Sequence, residues 1–189
     1  MNWNWVKKFK GDNPEFWNEY VTSFDFSSKE RKIIVVIDFK YIKDILNNPE
    51  SLSIGCLEIE NNFLVVKTFI ELIFQKDIYS IPNNELETNE IPVFLNFIKN
   101  ATLIGLNMNL TLEIINNILD KSNLGSLKNQ YIDIGLMHHK LIENTSEDLL
   151  SLNELCEIYK IQNNEKRTIS GDAFMTALLF LKLKKKLEI

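Results

Sequence analysis

Four sets of side chains in this sequence are of types that do chemistry. The first is Asp38, which closes the apolar run Ile33 to Ile37 inside RKIIVVIDFK, Arg31 to Lys40. A carboxylate leaving such a run costs desolvation energy unless it meets a metal, a cation or water. A cation, Lys40, follows two residues later. The second set is His138 and His139. Adjacent residues on a helix point about 100° apart, so the pair cannot chelate one ion, and surface positions are expected for both. Cys56 and Cys156 each lie in an apolar segment without an activating neighbour. They read as buried free thiols of a reducing compartment. The Lys182 to Lys186 run reads as a solvated helix end that complements the helix dipole.

Whole-chain properties bound what these groups can serve. The 189 residues suffice for one domain with a substantial core and hardly for two. A hydrophobic fraction of 45% and a charged fraction of 25% are those of a soluble globular protein. The formal net charge of −5 provides no global basic field, which argues against strong nonspecific binding to nucleic acid but leaves room for a local basic groove. No apolar core of signal-peptide length opens the chain, and no later run approaches 18 apolar residues, so a cytoplasmic protein without a membrane association is expected. Residues 1–30 read as an N-terminal helical extension, and residues 31–189 as the domain proper.

The elements follow from periodicity. A continuous β-branched run flanked by charge, Ile33 to Ile37, predicts a strand buried on both faces at the centre of a sheet. Asp12-Asn13-Pro14-Glu15 predicts a helix start with Asn at the N-cap. Its stripe of Phe16, Trp17, Tyr20, Val21 and Phe24 should pack as a lid, with a partner-binding helix as the other reading. Trp3, Trp5 and Lys7, Lys8 and Lys10 before it could meet a partner or a membrane surface. Phe39 to Glu50 reads as a polar connection. Leu52 to Glu60 and Phe63 to Ile70 read as strands joined at Asn61-Asn62, since Asn tolerates positive φ. Asp77 to Glu90 reads as a loop. Ile91 to Asn100, Leu110 to Lys121, Leu136 to Ile142, Leu152 to Tyr159 and Asp172 to Leu187 read as helices, with strands at Thr102 to Leu106 and Tyr131 to Ile134. Ser151 and Glu154 have capping-box spacing. A meander followed by strand–helix units predicts a mixed α/β sheet with helices on both faces.

Several of these segments together resemble the DnaQ-like (DEDDh) 3′–5′ exonucleases of the ribonuclease H-like superfamily. The resemblance runs from about Pro14 to Leu187. It is carried by SIGCLEI at Ser53 to Ile59, SLNELC at Ser151 to Cys156, SGDAFMTALLFLKL at Ser170 to Leu183, NPEFWNEY at the N-terminus, and the separation of Asp38 from Gly55. It implies a five-stranded ribonuclease H-like sheet flanked by helices. It also implies two-metal phosphodiester hydrolysis, in which four carboxylates hold two divalent ions and a histidine is the general base.

Position by position, the resemblance places the first-motif aspartate at Asp38 and its glutamate at Lys40. Tyr41-Ile42-Lys43 stands where Thr-Thr-Gly is usual, and the second motif reads Gly105 to Thr111, with Thr111 in place of its aspartate. In the third, Arg167 replaces the histidine and Asp172 keeps the aspartate. Lys40 offers donors and no lone pair while protonated. Thr111 brings a neutral hydroxyl to a hard cation's position. Arg167 cannot accept a proton. Lys40 and Arg167 are therefore expected to replace the metals as partners of Asp38 and Asp172. Rescue is not expected from Glu113, two residues from Thr111 and about 200° around a helix, nor from Asp44 or Glu165. Asn107 is expected to bond to nearby backbone, and Asp133 to be structural.

The resulting expectation is a degenerate member: a catalytically inactive exonuclease-like domain that serves as a nucleic-acid-binding or protein-interaction module. No cofactor is expected, and no confident catalytic or metal residue. A single-stranded nucleic acid could meet Lys40, Lys43 and Arg167, and a protein partner the N-terminal Trp/Phe segment. The alternative is an active exonuclease with an atypical or single-metal site, using Asp38 and Asp172 with Mg²⁺ or Mn²⁺.

Overall fold

A computed structural model describes residues 13–25, 33–43, 49–75, 90–143, 150–162 and 168–189. The β-branched run opens β1 (Ile34–Lys43), with Ile33 just before the strand and exposed, and β2 (Pro49–Glu60) and β3 (Phe63–Gln75) follow as an antiparallel meander. Two further strands, β4 (Thr102–Gly105) and β5 (Tyr131–Asp133), add on the other side of β1 in parallel. The order is β3-β2-β1-β4-β5, so β1 is the central strand. Val35, Val36 and Ile37 are buried, with Val35 and Ile37 in one core and Val36 in the other.

The strands outrun their apolar patterns. Residues 39–43 stay extended instead of forming a connection, because β2 pairs alongside them from Phe39↔Ile54 to Lys43↔Pro49. Backbone pairing with a neighbour already in register overrides a polar sequence. β3 likewise continues five residues past Ile70. Asn61 and Asn62 make the expected tight turn, with φ of 52° and 65°. Midway along this hairpin the ladder breaks. Val66 to Phe69 of β3 lie opposite the single Leu57, between the pairs Cys56↔Ile70 and Glu58↔Val65. The Thr68 hydroxyl accepts from Glu58 N at 3.3 Å and donates to the Val65 carbonyl at 2.7 Å, so a side chain replaces lost ladder bonds. Such a bulge interrupts an otherwise long open edge.

Helices cover both faces. On one lie α1 (Glu15–Thr22), α2 (Glu90–Ile98) and α3 (Met108–Lys121); on the other lie α4 (Ile134–Leu141), α5 (Leu152–Ile158) and α6 (Ile169–Leu187). The first helix packs on α2, with Trp17 and Tyr20 buried in the core of that face. Its N-cap is Pro14 and not Asn13: the Pro14 carbonyl accepts from Trp17 N and Asn18 N, while the Asn13 carbonyl accepts from the Asn18 amide. Tyr20 donates its hydroxyl to Asn129 Oδ1 and accepts from Lys128 N, both at 2.7 Å, and burial pushes its pKa up to about 12. The capping box at Ser151 and Glu154 forms as expected. The last helix starts three residues early because the Thr168 hydroxyl caps it by accepting from Gly171 N at 3.1 Å. The segment with Trp3 and Trp5, and the stretch 76–89, lie outside the described residues. Among the described residues, no helix is long and apolar enough to cross a membrane.

The end of β4 tolerates no side chain. A Cβ on Gly105 would lie 2.6 Å from Met108 Sδ and 2.8 Å from the Ile37 carbonyl oxygen, and the second atom is backbone. Gly105→Ala should therefore cost about 1–3 kcal/mol in urea unfolding. An unchanged midpoint would contradict the close approach of α3 to β1.

Candidate functional site

Parallel pairing of β1 with β4 covers only Ile34↔Thr102 to Val36↔Ile104. Beyond it β4 ends and the chain turns into α3, which opens a crevice beside β1. Asp38 lies two residues past the last parallel pair. It lies within β1 and not at its end, because the antiparallel side of the strand continues to Lys43. Strand alternation puts Val36, Asp38 and Lys40 on one face, the face covered by α6.

Gly55 stands opposite Asp38. A Cβ there would be 2.9 Å from Ile169 Cγ1 and 3.3 Å from the Ile169 carbonyl oxygen. The first turn of α6 thus rests directly over the residue paired with Asp38, and Asp172 lies in that turn, buried. Asp38 and Asp172, 134 positions apart in the chain, therefore stand on elements that face one another. Asp38 Oδ1 accepts from Phe39 N at 2.8 Å. Lys40 is exposed, and none of Asp38, Lys40 and Asp172 lacks a partner. Arg167, Asp44 and Glu165 lie outside the described residues, and Glu113 is exposed.

Thr111 is buried at the start of α3. Its N–H and its hydroxyl both donate to the Asn107 carbonyl, at 3.1 and 3.2 Å. Asn107 takes a left-handed conformation, φ 55°, and its buried Oδ1 has no partner, contrary to the backbone bond expected of it. The reason is that Asp133 supplies the helix cap. Its Oδ2 accepts from Met108 N at 2.7 Å and its Oδ1 from Gly135 N at 2.8 Å, so one carboxylate ties the N-termini of α3 and α4 together. Asp-x-Gly at a strand–helix junction was the available signal for half of this; the reach to Met108 had none.

His138 corrects another expectation. It is buried, at 4% exposure, and its Nδ1 lies 2.8 Å from the Tyr159 hydroxyl. Ile134, Met137 and His138 share the inner face of α4. The Lys182 ammonium donates to the Tyr159 carbonyl at 2.5 Å, so α4, α5 and α6 are joined through one tyrosine, and Lys182 is not merely solvated. Burial, and secondarily His139, hold the His138 imidazole below its ordinary pKa, while burial raises that of Tyr159. Cys56 and Cys156 are buried free thiols, and burial pushes that of Cys56 well up.

The two-ion centre implied by the resemblance does not fit the described donor set. Among the described residues, no three His, Cys, Asp or Glu side chains stand together to hold a metal. The Thr111 hydroxyl proton is spent on backbone, and Lys40 adds positive charge to the Asp38 face.

No family model and no curated protein sequence matches the chain. Solved structures do. Exonuclease I bound to the inhibitor BCBP superposes with a TM-score of 0.56 at 11% identity, over 83% of this chain and 42% of that one. The fold is ribonuclease H-like, of the exonuclease type. Product-bound exonuclease I gives 0.54 at 11% identity, over 84% of this chain and 45% of that one. An ExoI/SSB-Ct complex gives 0.55 at 11%, over 84% and 42%. The chain spans less than half the length of these proteins.

Two outcomes follow from the contacts above. Asp133→Ala removes two charge-assisted bonds to helix N-termini and should cost about 2–3 kcal/mol in denaturant unfolding, with Asp133→Asn intermediate. His138 is held neutral by the fold, so its stabilising contribution is complete above the ordinary histidine pKa of about 6.5 and is lost as pH falls below it. The melting temperature of the native chain should drop between pH 7.5 and 5.5 more than that of His138→Asn; parallel profiles would show that His138 is not held neutral.

Proposed function

We propose that this chain is a non-hydrolysing exonuclease-like domain that retains its groove as a binding surface for single-stranded nucleic acid. One observation carries the reading: the position equivalent to the second-motif aspartate holds a buried threonine whose hydroxyl is donated to the Asn107 carbonyl. A neutral oxygen so committed is a poor ligand for a hard divalent ion. Lys40 supports the same reading, since a protonated ammonium beside Asp38 does electrostatically part of what a cation would do. Exposed on that face, Lys40 also offers a contact to phosphates without cutting.

A second reading rests on the placement of Asp38 opposite Gly55, beneath the α6 turn that holds Asp172. Two carboxylates on facing elements could hold one divalent ion, and the chain would then be an exonuclease with an atypical site.

The deciding assay uses 5′-labelled single-stranded DNA and RNA with Mg²⁺ or Mn²⁺, with Asp38→Asn in parallel. No cleavage by folded protein is expected; cleavage abolished by Asp38→Asn would establish the second reading instead. Affinity for the same strands should fall steeply between about 50 and 200 mM salt and again on Lys40→Glu. Affinity indifferent to both would remove nucleic acid from the proposal.

A further inference from the structure

A groove of about 480 Å³ lies away from the Asp38 face, between the end of α5 and the outer side of α6. Its lining is Ile161, Phe174 and Leu178 as an apolar floor, with Gln162, Lys160 and Lys182 around it, and among the described residues no acidic side chain lines it. In a chain of net charge −5 this is a local reversal of sign. The α6 side chains are ordered along the groove. Phe174, Leu178, Lys182 and Lys186 follow at four-residue spacing, one helical turn apart, so the stripe passes from apolar to basic. Phe174 is 39% exposed, although its neighbours Ala173, Met175, Thr176 and Ala177 on the same helix are buried.

The Lys182 ammonium is held in place. It spends one donor on the Tyr159 carbonyl at the end of α5 and keeps two for a ligand. Lys160 follows that same helix end in a left-handed conformation, φ 51°, and lines the groove from that side. Cations fixed before binding lose less side-chain entropy on meeting an anion. Lys184, by contrast, turns away to Asn62 Oδ1 at 2.9 Å.

We propose that this groove binds a short segment of a protein partner in which an apolar anchor residue is followed by acidic residues. The anchor fills the Phe174–Leu178–Ile161 floor, and the carboxylates meet Lys182, Lys160 and Lys186. Segregation of apolar and basic groups to opposite ends favours a peptide. A single-stranded nucleic acid repeats base and phosphate at every step and is met by interleaved aromatics and cations, whereas the floor here has one aromatic ring and two aliphatic side chains. The proposal is independent of whether the Asp38 site binds or cuts anything.

The test uses the full chain and two fluorescein-labelled peptides, each a Leu-Phe pair joined to a run of four Asp and Glu residues, in either order. At least one should bind saturably by fluorescence anisotropy. Phe174→Glu and Lys186→Glu should each weaken it about tenfold, as expected when an anchor or its charged flank is lost, while leaving the melting temperature unchanged. Phe174→Tyr should retain binding, and a peptide with Gly-Gly for Leu-Phe should not bind. Absence of saturable binding by both peptides, or binding unmoved by either Glu substitution, would overturn the proposal. So would self-association of the chain, or tighter binding of an oligothymidylate, abolished by Phe174→Glu.

Discussion

The structure depends on the unequal partners of its central strand. On one side β1 is paired with β2 along its full length, from Ile34↔Ile59 to Lys43↔Pro49. On the other it is paired with β4 for three residues and is then left by it. The first partner keeps the strand extended past its apolar run; the early departure of the second opens a crevice at the carboxyl ends of the parallel strands. That is where doubly wound sheets bind ligands, and for the same geometric reason. Asp38 lies two residues past the last parallel pair, on the side that α6 covers.

What surrounds the crevice is held by few groups with large effect. Asp133 fastens two helix N-termini with one carboxylate, and so sets where α3 and α4 start relative to the sheet. Gly105 lets α3 turn against the Ile37 carbonyl, and Gly55 lets the first turn of α6 approach β2. On the far side, Tyr159 bonds through its hydroxyl to His138 and through its carbonyl to Lys182, which joins three helices in a largely apolar layer. Buried polar groups of this kind are costly unless paired, and these are paired. Asn107 Oδ1 and Thr176 Oγ1, both buried without a partner, are the exceptions among the described residues.

Electrostatics distinguish the two proposed surfaces. On the Asp38 face Lys40 is exposed and cationic, and the buried Thr111 hydroxyl at the start of α3 is neutral, so neither adds the negative charge that would attract a divalent ion. Along α6 the balance is basic and graded, although the molecule as a whole is acidic. The sheet end and the α5–α6 groove therefore present different chemistry to solvent, and nothing requires them to serve one ligand.

Much of this was legible from residue order alone. The β-branched run specified a central strand, buried at Val35, Val36 and Ile37, because strands covered on both faces read as continuous apolar runs. The Asn61-Asn62 turn, the Ser151–Glu154 capping box and the apolar α6 follow from local rules that need no partner. The identities at 38, 40, 111 and 172 were equally visible, since charge and donor count are properties of side chains. Tertiary structure decided what no local rule contains. The length of β1 depended on β2 lying alongside, so residues 39–43 became strand and Asp38 fell inside it. The burial of His138 depended on Tyr159 arriving from another helix. The cap of α3 came from Asp133, 25 residues on, in place of the nearer Asn107. Each of these is a pairing across distance, and a sequence shows a residue's capacity for such a bond without showing which partner the fold will bring.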